Sequence, residues 1–367
     1  VTDPEIQTSA VPTSAPPAAP VASTPTEADA IVDAWPWARP SRLTGWLERN
    51  DFHPLLTAFL VFVAAFLLFQ VVVAPIVLAI GVVWDLSQNG GGEPPDMTVI
   101  LEQLTTNGRL MMIANTVGQL VGFGLFAWVV AKLHSPDARE YLRIRKPDGP
   151  GLGLAAVGWA TLYPVVLWTG QLNERVPMPD WLHQLEQQQV DLLEGLLLGG
   201  DLSTMFLFVA LALTPAICEE LLFRGYLQRQ VERGWGTAAS IVLVGVLFGL
   251  YHLRLSQAIP LSLLGIYLGF VVWATGSLWA GFTVHLLNNG FAVLASAVVR
   301  DSPEMDLESL ESMGVPWYVG LLGIALTAAV VKALLARRQS LVGTTADARP
   351  VEAELVPSPP TSPPVLS

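Results

Sequence analysis

Along the chain, apolar positions are gathered into eight continuous blocks, roughly residues 55–84, 109–132, 150–169, 202–220, 236–253, 257–275, 278–299 and 316–336. A hydrocarbon layer takes about 20 helical residues at ~1.5 Å each, so blocks of this length predict membrane-crossing helices. The pattern predicts an all-α, polytopic transmembrane helical bundle of about eight spans. Its first block, LLTAFLVFVAAFLLFQVVVAPIVLAI, is interrupted only by Pro75, a kink that a packed bundle tolerates. The third is punctuated by glycines and Pro164, and the sixth and seventh are joined by a short turn at Thr275, Gly276 and Ser277. Both features fit helices packed closely through small residues.

The flanks differ. Residues 1–30 and 340–367 are rich in Pro, Ala, Ser and Thr and cannot bury enough apolar surface to fold, so both are expected to be disordered tails. No basic segment leading into an apolar run precedes the first span, so no cleaved leader is expected. Residues 31–54 set Trp35, Trp37 and Trp46 beside Arg39, Arg42 and Arg49, the pattern of a segment lying at a headgroup surface. The transmembrane domain is then 55–339. Between its third and fourth blocks, DWLHQLEQQQVDLLEGLLLGGD spaces Trp181, Leu182, Leu185, Leu192, Leu193 and Leu196 as an amphipathic helix over the outer mouth of the bundle, with His183 a surface residue.

Composition sharpens this. Of the 367 residues, 52% are hydrophobic and only 14% charged, against about 25% charged in soluble chains. The formal net charge of -12 argues against nucleic acid as a partner. Of the 19 basic residues, all but Arg109, Arg175, Arg254 and Arg300 fall on one side if the N-terminus is cytoplasmic. By the positive-inside rule both termini are expected in the cytoplasm of a cell with this protein in its inner (plasma) membrane. The acidic residues collect in the outer loops, as solvated surface. A single cysteine, Cys218, excludes a disulfide framework and reads as a core residue.

Ionisable residues at apolar helices are costly and so informative. In LALTPAICEELLFRGYLQRQVERG, Glu219 and Glu220 are adjacent and point about 100° apart on a helix, while Glu220 and Arg224 are four apart and can pair. Glu219 is thereby left to present its carboxylate elsewhere. In VGVLFGLYHLRL, Phe248 and His252 share a face; in AGFTVHLLNNGF, His285 and Asn289 do, with Asn288 rotated away. A carboxylate and an imidazole can deprotonate a water, and a second imidazole with an amide can donate to the oxyanion formed on a carbonyl. The trio Glu219, His252 and His285 could instead ligate zinc or another divalent ion, although no HExxH is present. Ser240, Ser256 and Ser262 have no nucleophile context. Asn115, Thr116 and Gln119, with Gly118, Gly122 and Gly124, read as polar and small contacts between helices.

In this order, E219-E220-L-L-F-R224, F248-G-L-Y-H252 and H285-L-L-N-N289 resemble the CPBP family of intramembrane endopeptidases, which contains the eukaryotic CAAX prenyl endopeptidase and bacterial Abi proteins. All three motif parts match, over about residues 200–300. The resemblance implies hydrolysis of membrane-associated or lipophilic peptides, with Glu219 and His252 activating water, His285 and Asn289 forming the oxyanion site, and Glu220, Arg224 and Phe248 in support. The family is often described as metalloproteases, though a glutamate-dependent, metal-independent mechanism has also been proposed for it. A bacterial, monomeric protein in contact with membrane lipid is expected, for which a prenylated CaaX protein is not the expected substrate. Alternatives are a non-catalytic immunity or scaffold protein of the same family, a transporter using the ionisable residues as a relay, and an enzyme acting on lipid esters.

One spacing conflicts with upright helices. Glu219 lies near the cytoplasmic end of its block, whereas His252 lies 16 residues past Gly236 at the far end of its own, roughly 24 Å away along an upright axis. The expected resolution is that the first turns of the His252 helix lie outside the hydrocarbon, together with a deep water-filled cone reaching the middle of the bilayer, with the fourth helix extending past the membrane.

Overall fold

A computed structural model describes residues 30–31, 41–89, 107–199, 201–302 and 314–346. Nearly all of the expected tails, and residues 32–40 of the expected interfacial segment, fall outside these. The described chain is helical apart from one short antiparallel pairing, β1 (Ala30–Ile31) with β2 (Ser41–Arg42). The helices are α1 (Trp46–Arg49), α2 (Pro54–Gln88), α3 (Gly108–His134), α4 (Ala138–Tyr141), α5 (Gly149–Asn173), α6 (Asp180–Leu198), α7 (Thr204–Trp235), α8 (Thr237–Tyr251), α9 (Leu255–Thr275), α10 (Leu278–Arg300) and α11 (Trp317–Ala346). Helix α11 carries order seven residues into the segment expected as a tail from 340.

Among the described residues, seven helices are long and apolar enough to cross a membrane: α2, α3, α5, α7, α9, α10 and α11. This makes the chain a polytopic membrane protein. The eighth expected span, α8, has only 15 residues, a reach of about 22 Å at 1.5 Å per residue. Its packing explains how so short a helix is held. Gly245 and Gly249 lie directly against the backbone of α9, where a Cβ on Gly245 would come 2.5 Å from the amide nitrogen of Ile266. Small residues spaced by four let two backbones approach until van der Waals contact replaces the hydrophobic drive that lipid cannot supply.

Two of the helical irregularities have an identifiable cause. The turns Leu68–Val73 in α2 and Val209–Leu213 in α7 are π-helical, and each ends two residues before a proline, Pro75 and Pro215. A proline ring clashes with the carbonyl four residues back and cannot bond to it. Widening the preceding turn by one residue relieves the clash without breaking the helix.

At one end of the bundle, polar residues are buried where the hydrophobic pattern suggests solvent. His134, at the end of α3, is buried, stacks on Tyr141 with centroids 5.2 Å apart, and donates from Nδ1 to Glu48 Oε1 at 2.6 Å. Its Nε2 lies 2.8 Å from the Tyr226 hydroxyl and from the Gln230 side-chain nitrogen. Arg233 closes the network with a two-pronged bridge to Glu48 at 2.8 and 2.9 Å. Arg229 donates to the carbonyl of Tyr141, Arg143 pairs with Glu232, and Arg337 pairs with Asp148, the N-cap of α5. The Arg337 guanidinium holds the Asp148 carboxyl below the usual range. The chain near α1 and the end of α11 thus share one end of the bundle, the end where the basic residues concentrate.

Burial pushes the Glu48 carboxyl up, but hydrogen bonds and charge from His134 and Arg233 outweigh it and hold it below its ordinary value. A carboxylate with a depressed folded-state pKa stabilises above its unfolded pKa, and that contribution disappears as pH falls through the folded value. Acidification below the ordinary glutamate value of 4.5 is therefore expected to release α1. Hydrogen exchange of the Gly45 amide, which donates to the His134 carbonyl, should accelerate at low pH relative to its intrinsic rate in the wild type. In Glu48→Gln it should be fast at neutral pH already, with little further change.

Candidate functional site

Helix α7 positions both glutamates. Its 32 residues run well past the apolar block that ended near residue 220, as expected of the fourth helix, and Tyr226, Arg229 and Gln230 are buried against α3 and α4 while Gln228 donates to the Gly269 carbonyl of α9. Glu219, near the end of the apolar block, is consequently mid-helix. It lies 17 residues before Gly236, and His252 lies 16 after it. Gly236, at φ +82°, makes the sharp junction between α7 and α8, a backbone conformation glycine adopts without strain. Folding the two helices back at Gly236 brings Glu219 and His252 to the same level, which removes the conflict of depth.

Glu220 and Arg224 are both without exposed surface. Arg224 Nη1 donates to Glu220 Oε1 at 2.8 Å, its Nη2 donates to the Gly265 carbonyl at 3.0 Å, and its guanidinium lies over the Phe248 ring, 4.2 Å from the centroid. The ion pair expected from the four-residue spacing is present, and it has a third member. His285, also buried, donates from Nδ1 to the same Glu220 oxygen at 3.0 Å. Because a carboxylate only accepts, this contact fixes the proton on Nδ1 and directs Nε2 away from Glu220. That Nε2 faces Glu219 Oε2 at 3.9 Å, too long for a direct hydrogen bond.

Glu219 is 4% exposed, and its Oε2 has no hydrogen-bond partner among the described residues. Buried polar atoms are nearly always satisfied, so an unpartnered carboxylate oxygen marks a place where a water or a reacting group belongs. His252, at the C-terminal end of α8, donates from Nδ1 to its own Phe248 carbonyl at 2.7 Å, which leaves Nε2 to the site. It is close enough for the charge of Glu219 to act on it. The Phe248 ring stands edge-on to both imidazoles, with centroids 4.9 Å from His252 and 5.6 Å from His285. Phe248 is thus the wall between the two histidines, and Tyr251, which the motif did not single out, packs on His252 at 5.2 Å.

Asn289 shares the His285 face, but its amide is engaged. It donates to the Leu211 carbonyl at 3.1 Å, which is the carbonyl that Pro215, lacking an N–H, leaves four residues behind it. Asn288, expected to point away, donates to Asn289 Oδ1 at 3.2 Å and fixes which way the amide faces. One amide hydrogen of Asn289 remains for another acceptor.

Among the described residues no group of three or more His, Cys, Asp or Glu is arranged to hold a metal ion. A groove of about 160 Å³ opens between α7 and α10 beside Glu220, lined by Ile217, Leu221, Leu278, Trp279 and Phe282. Apart from Glu220 its walls are apolar.

Residues 201–291 match the family model described as Type II CAAX prenyl endopeptidase Rce1-like, about a quarter of the chain. The matched segment holds Glu219, Glu220, Arg224, Phe248, His252, His285 and Asn289. No curated protein and no solved structure matches the chain.

The close approach of α10 to Glu220 depends on Gly281. A Cβ there would lie 2.4 Å from Glu220 Oε2 and 2.7 Å from Val272 Cγ2. Gly281→Val is expected to cost about 1–3 kcal/mol through overpacking. Gly153→Ala, in open space on α5, should be neutral or stabilising by about 0.4–1 kcal/mol. Equilibrium unfolding of the two variants in mixed micelles checks the contrast.

Proposed function

We propose that the chain is an intramembrane endopeptidase that hydrolyses peptide bonds of membrane-associated or lipophilic substrates with a water activated by glutamate and histidine. The observation that carries this reading is the buried, unpartnered Glu219 oxygen facing the Nε2 of His285, with His252 beside it. The family match over residues 201–291 supports it.

In this reading a water sits in the gap between Glu219 and the two imidazoles. Glu219, aided by His252 Nε2, removes a proton as the water oxygen attacks the substrate carbonyl. The C–O bond forms as the C=O π bond opens onto oxygen, and the negative charge there is met by donors already in place. His285, entering the step as the imidazolium with its Nε2 proton taken up from solvent beforehand and kept throughout, is one donor. Glu220 orients it through Nδ1 and stabilises the imidazolium, as a buried carboxylate does for a catalytic histidine. The second amide hydrogen of Asn289 is the other donor. Collapse breaks the C–N bond, and the proton taken from water passes to the leaving amine. Glu220 and Arg224 do not enter the reaction; they hold His285 and Phe248 in position. With the basic end of the bundle cytoplasmic, both termini face the cytoplasm, and the apolar groove opens towards lipid on that side.

The full chain in lipid nanodiscs, incubated with a library of lipidated and unmodified hydrophobic peptides in H2 18O, should yield new C-termini carrying the heavy oxygen. Glu219→Gln is expected to lower turnover by about 10²–10⁴-fold, the usual contribution of a general base, with the fold retained. A chelator should leave wild-type turnover unchanged. Unaltered hydrolysis by Glu219→Gln would overturn the assignment.

A further inference from the structure

Helix α6 lies outside the family-matched segment, and the one acidic side chain it buries is unexplained by the chemistry above. Glu186 is 4% exposed, whereas Trp181, Leu185 and Leu192 on the same helix are exposed. A carboxylate thus shares the buried face of this helix with Leu196, while three large apolar residues point out. Burying a carboxylate costs several kcal/mol unless it is well partnered, so its partners indicate what the residue does.

Those partners are the turn that follows His252. Between α8 and α9 the chain reverses within a few residues, with Leu253 in the left-handed region at φ 54°. The first N–H groups of α9 have no acceptor within their own helix, and neither Arg254 nor Gln257 supplies a side-chain cap. Glu186 supplies it from outside: Oε1 accepts from the Leu255 amide at 2.5 Å and Oε2 from the Ser256 amide at 3.2 Å. The charge of Arg254 faces the same carboxylate. Asn173, buried at the end of α5, completes the clamp by donating to the Leu255 carbonyl at 2.8 Å and accepting from the Ile259 amide at 2.9 Å. Leu255, three residues after His252, is therefore gripped on both its amide and its carbonyl.

Among the described residues His252 has no side-chain hydrogen bond to another helix. Its Nδ1 bonds only to the Phe248 carbonyl of its own last turn, so the direction of Nε2 follows the backbone at the end of α8. That backbone continues directly into the clamped turn.

We propose that Glu186 is a positioning residue for His252: by clamping the Leu255–Ser256 turn from helix α6, it sets the direction in which the His252 imidazole meets Glu219. This rests on the reading of His252 as part of the reactive centre, but the test below reads the ring and not turnover, so either can fail alone.

The full chain, labelled with ¹⁵N at histidine and held in nanodiscs, gives a resonance pair for each imidazole, with His252 assigned by its loss in His252→Gln. In wild type, His252 should show the Nδ1–H tautomer. In Glu186→Ala its resonances should move and its tautomer become mixed, while His134, at the opposite end of the bundle, keeps its wild-type position. Exchange of the Leu255 and Ser256 amides should rise by about ten- to a hundredfold, as expected for loss of hydrogen bonds to a charged group. Glu186→Gln, which keeps one acceptor oxygen, should fall between the two and supplies the same readout if the alanine variant does not fold. A His252 ring unchanged in both variants, with faster exchange confined to Leu255 and Ser256, would show Glu186 to be a helix cap only and overturn the proposal.

Discussion

Glu220 and Arg224 face each other one turn apart with no exposed surface, and the arrangement of the surrounding helices follows from keeping them paired. A lone charge in this position would cost several kcal/mol, while a pair supported by its neighbours can be held. The neighbours meet part of the remaining hydrogen-bonding capacity; among the described residues Glu220 Oε2 and Arg224 Nε have no hydrogen-bond partner. The Gly265 carbonyl takes a second guanidinium N–H, Phe248 offers its ring face, and His285 donates to the carboxylate. Gly281 lets α10 come close enough for that last bond. Helices α7, α8, α9 and α10 therefore meet at one ion pair, and the pair in turn decides which nitrogen of His285 is free.

The adjacent Glu219 is defined by contrast. It sits one residue earlier on the same helix, rotated away from Arg224; each glutamate has an Oε2 without a hydrogen-bond partner among the described residues, but only Glu220 is paired with Arg224 and His285 through its Oε1. A neutralised carboxylate beside an uncompensated one is how two chemically identical groups acquire different roles. The junction at Gly236 then sets His252 level with Glu219, and Pro215 leaves the carbonyl that anchors Asn289. The reactive geometry is thus assembled from two backbone irregularities and one buried pair.

Much of the fold was legible in the hydrophobic pattern, because lipid demands long apolar helices and seven of the eight expected blocks have them. The pairing of Glu220 with Arg224 and the shared face of Phe248 and His252 were legible because helical spacing fixes them. Contacts between distant segments were not. The continuation of the fourth helix through GYLQRQVERG is legible, but nothing in that segment shows that Tyr226, Arg229 and Gln230 are buried by His134 and Tyr141. Glu186 reads as surface because its neighbours are Gln and Leu, and the amides that donate to it lie about seventy residues on. The metal alternative is open on residue types, and among the described residues no group of three or more His, Cys, Asp or Glu is arranged to hold an ion. The third member of the ion pair, His285, had been expected at the oxyanion site with Asn289, and only the packing of α10 against α7 shows that it also rests on Glu220.

The most direct test is a double-mutant cycle on unfolding free energy for Glu220→Gln and Arg224→Met in mixed micelles. If the pair organises the site, each single variant should lose about 3–5 kcal/mol by leaving the other charge unpaired, and the double variant should lose clearly less than the sum, with a coupling of about 1–3 kcal/mol. Losses that add to within about 0.5 kcal/mol would contradict it, and would mean that the four helices are held together by something other than this pair.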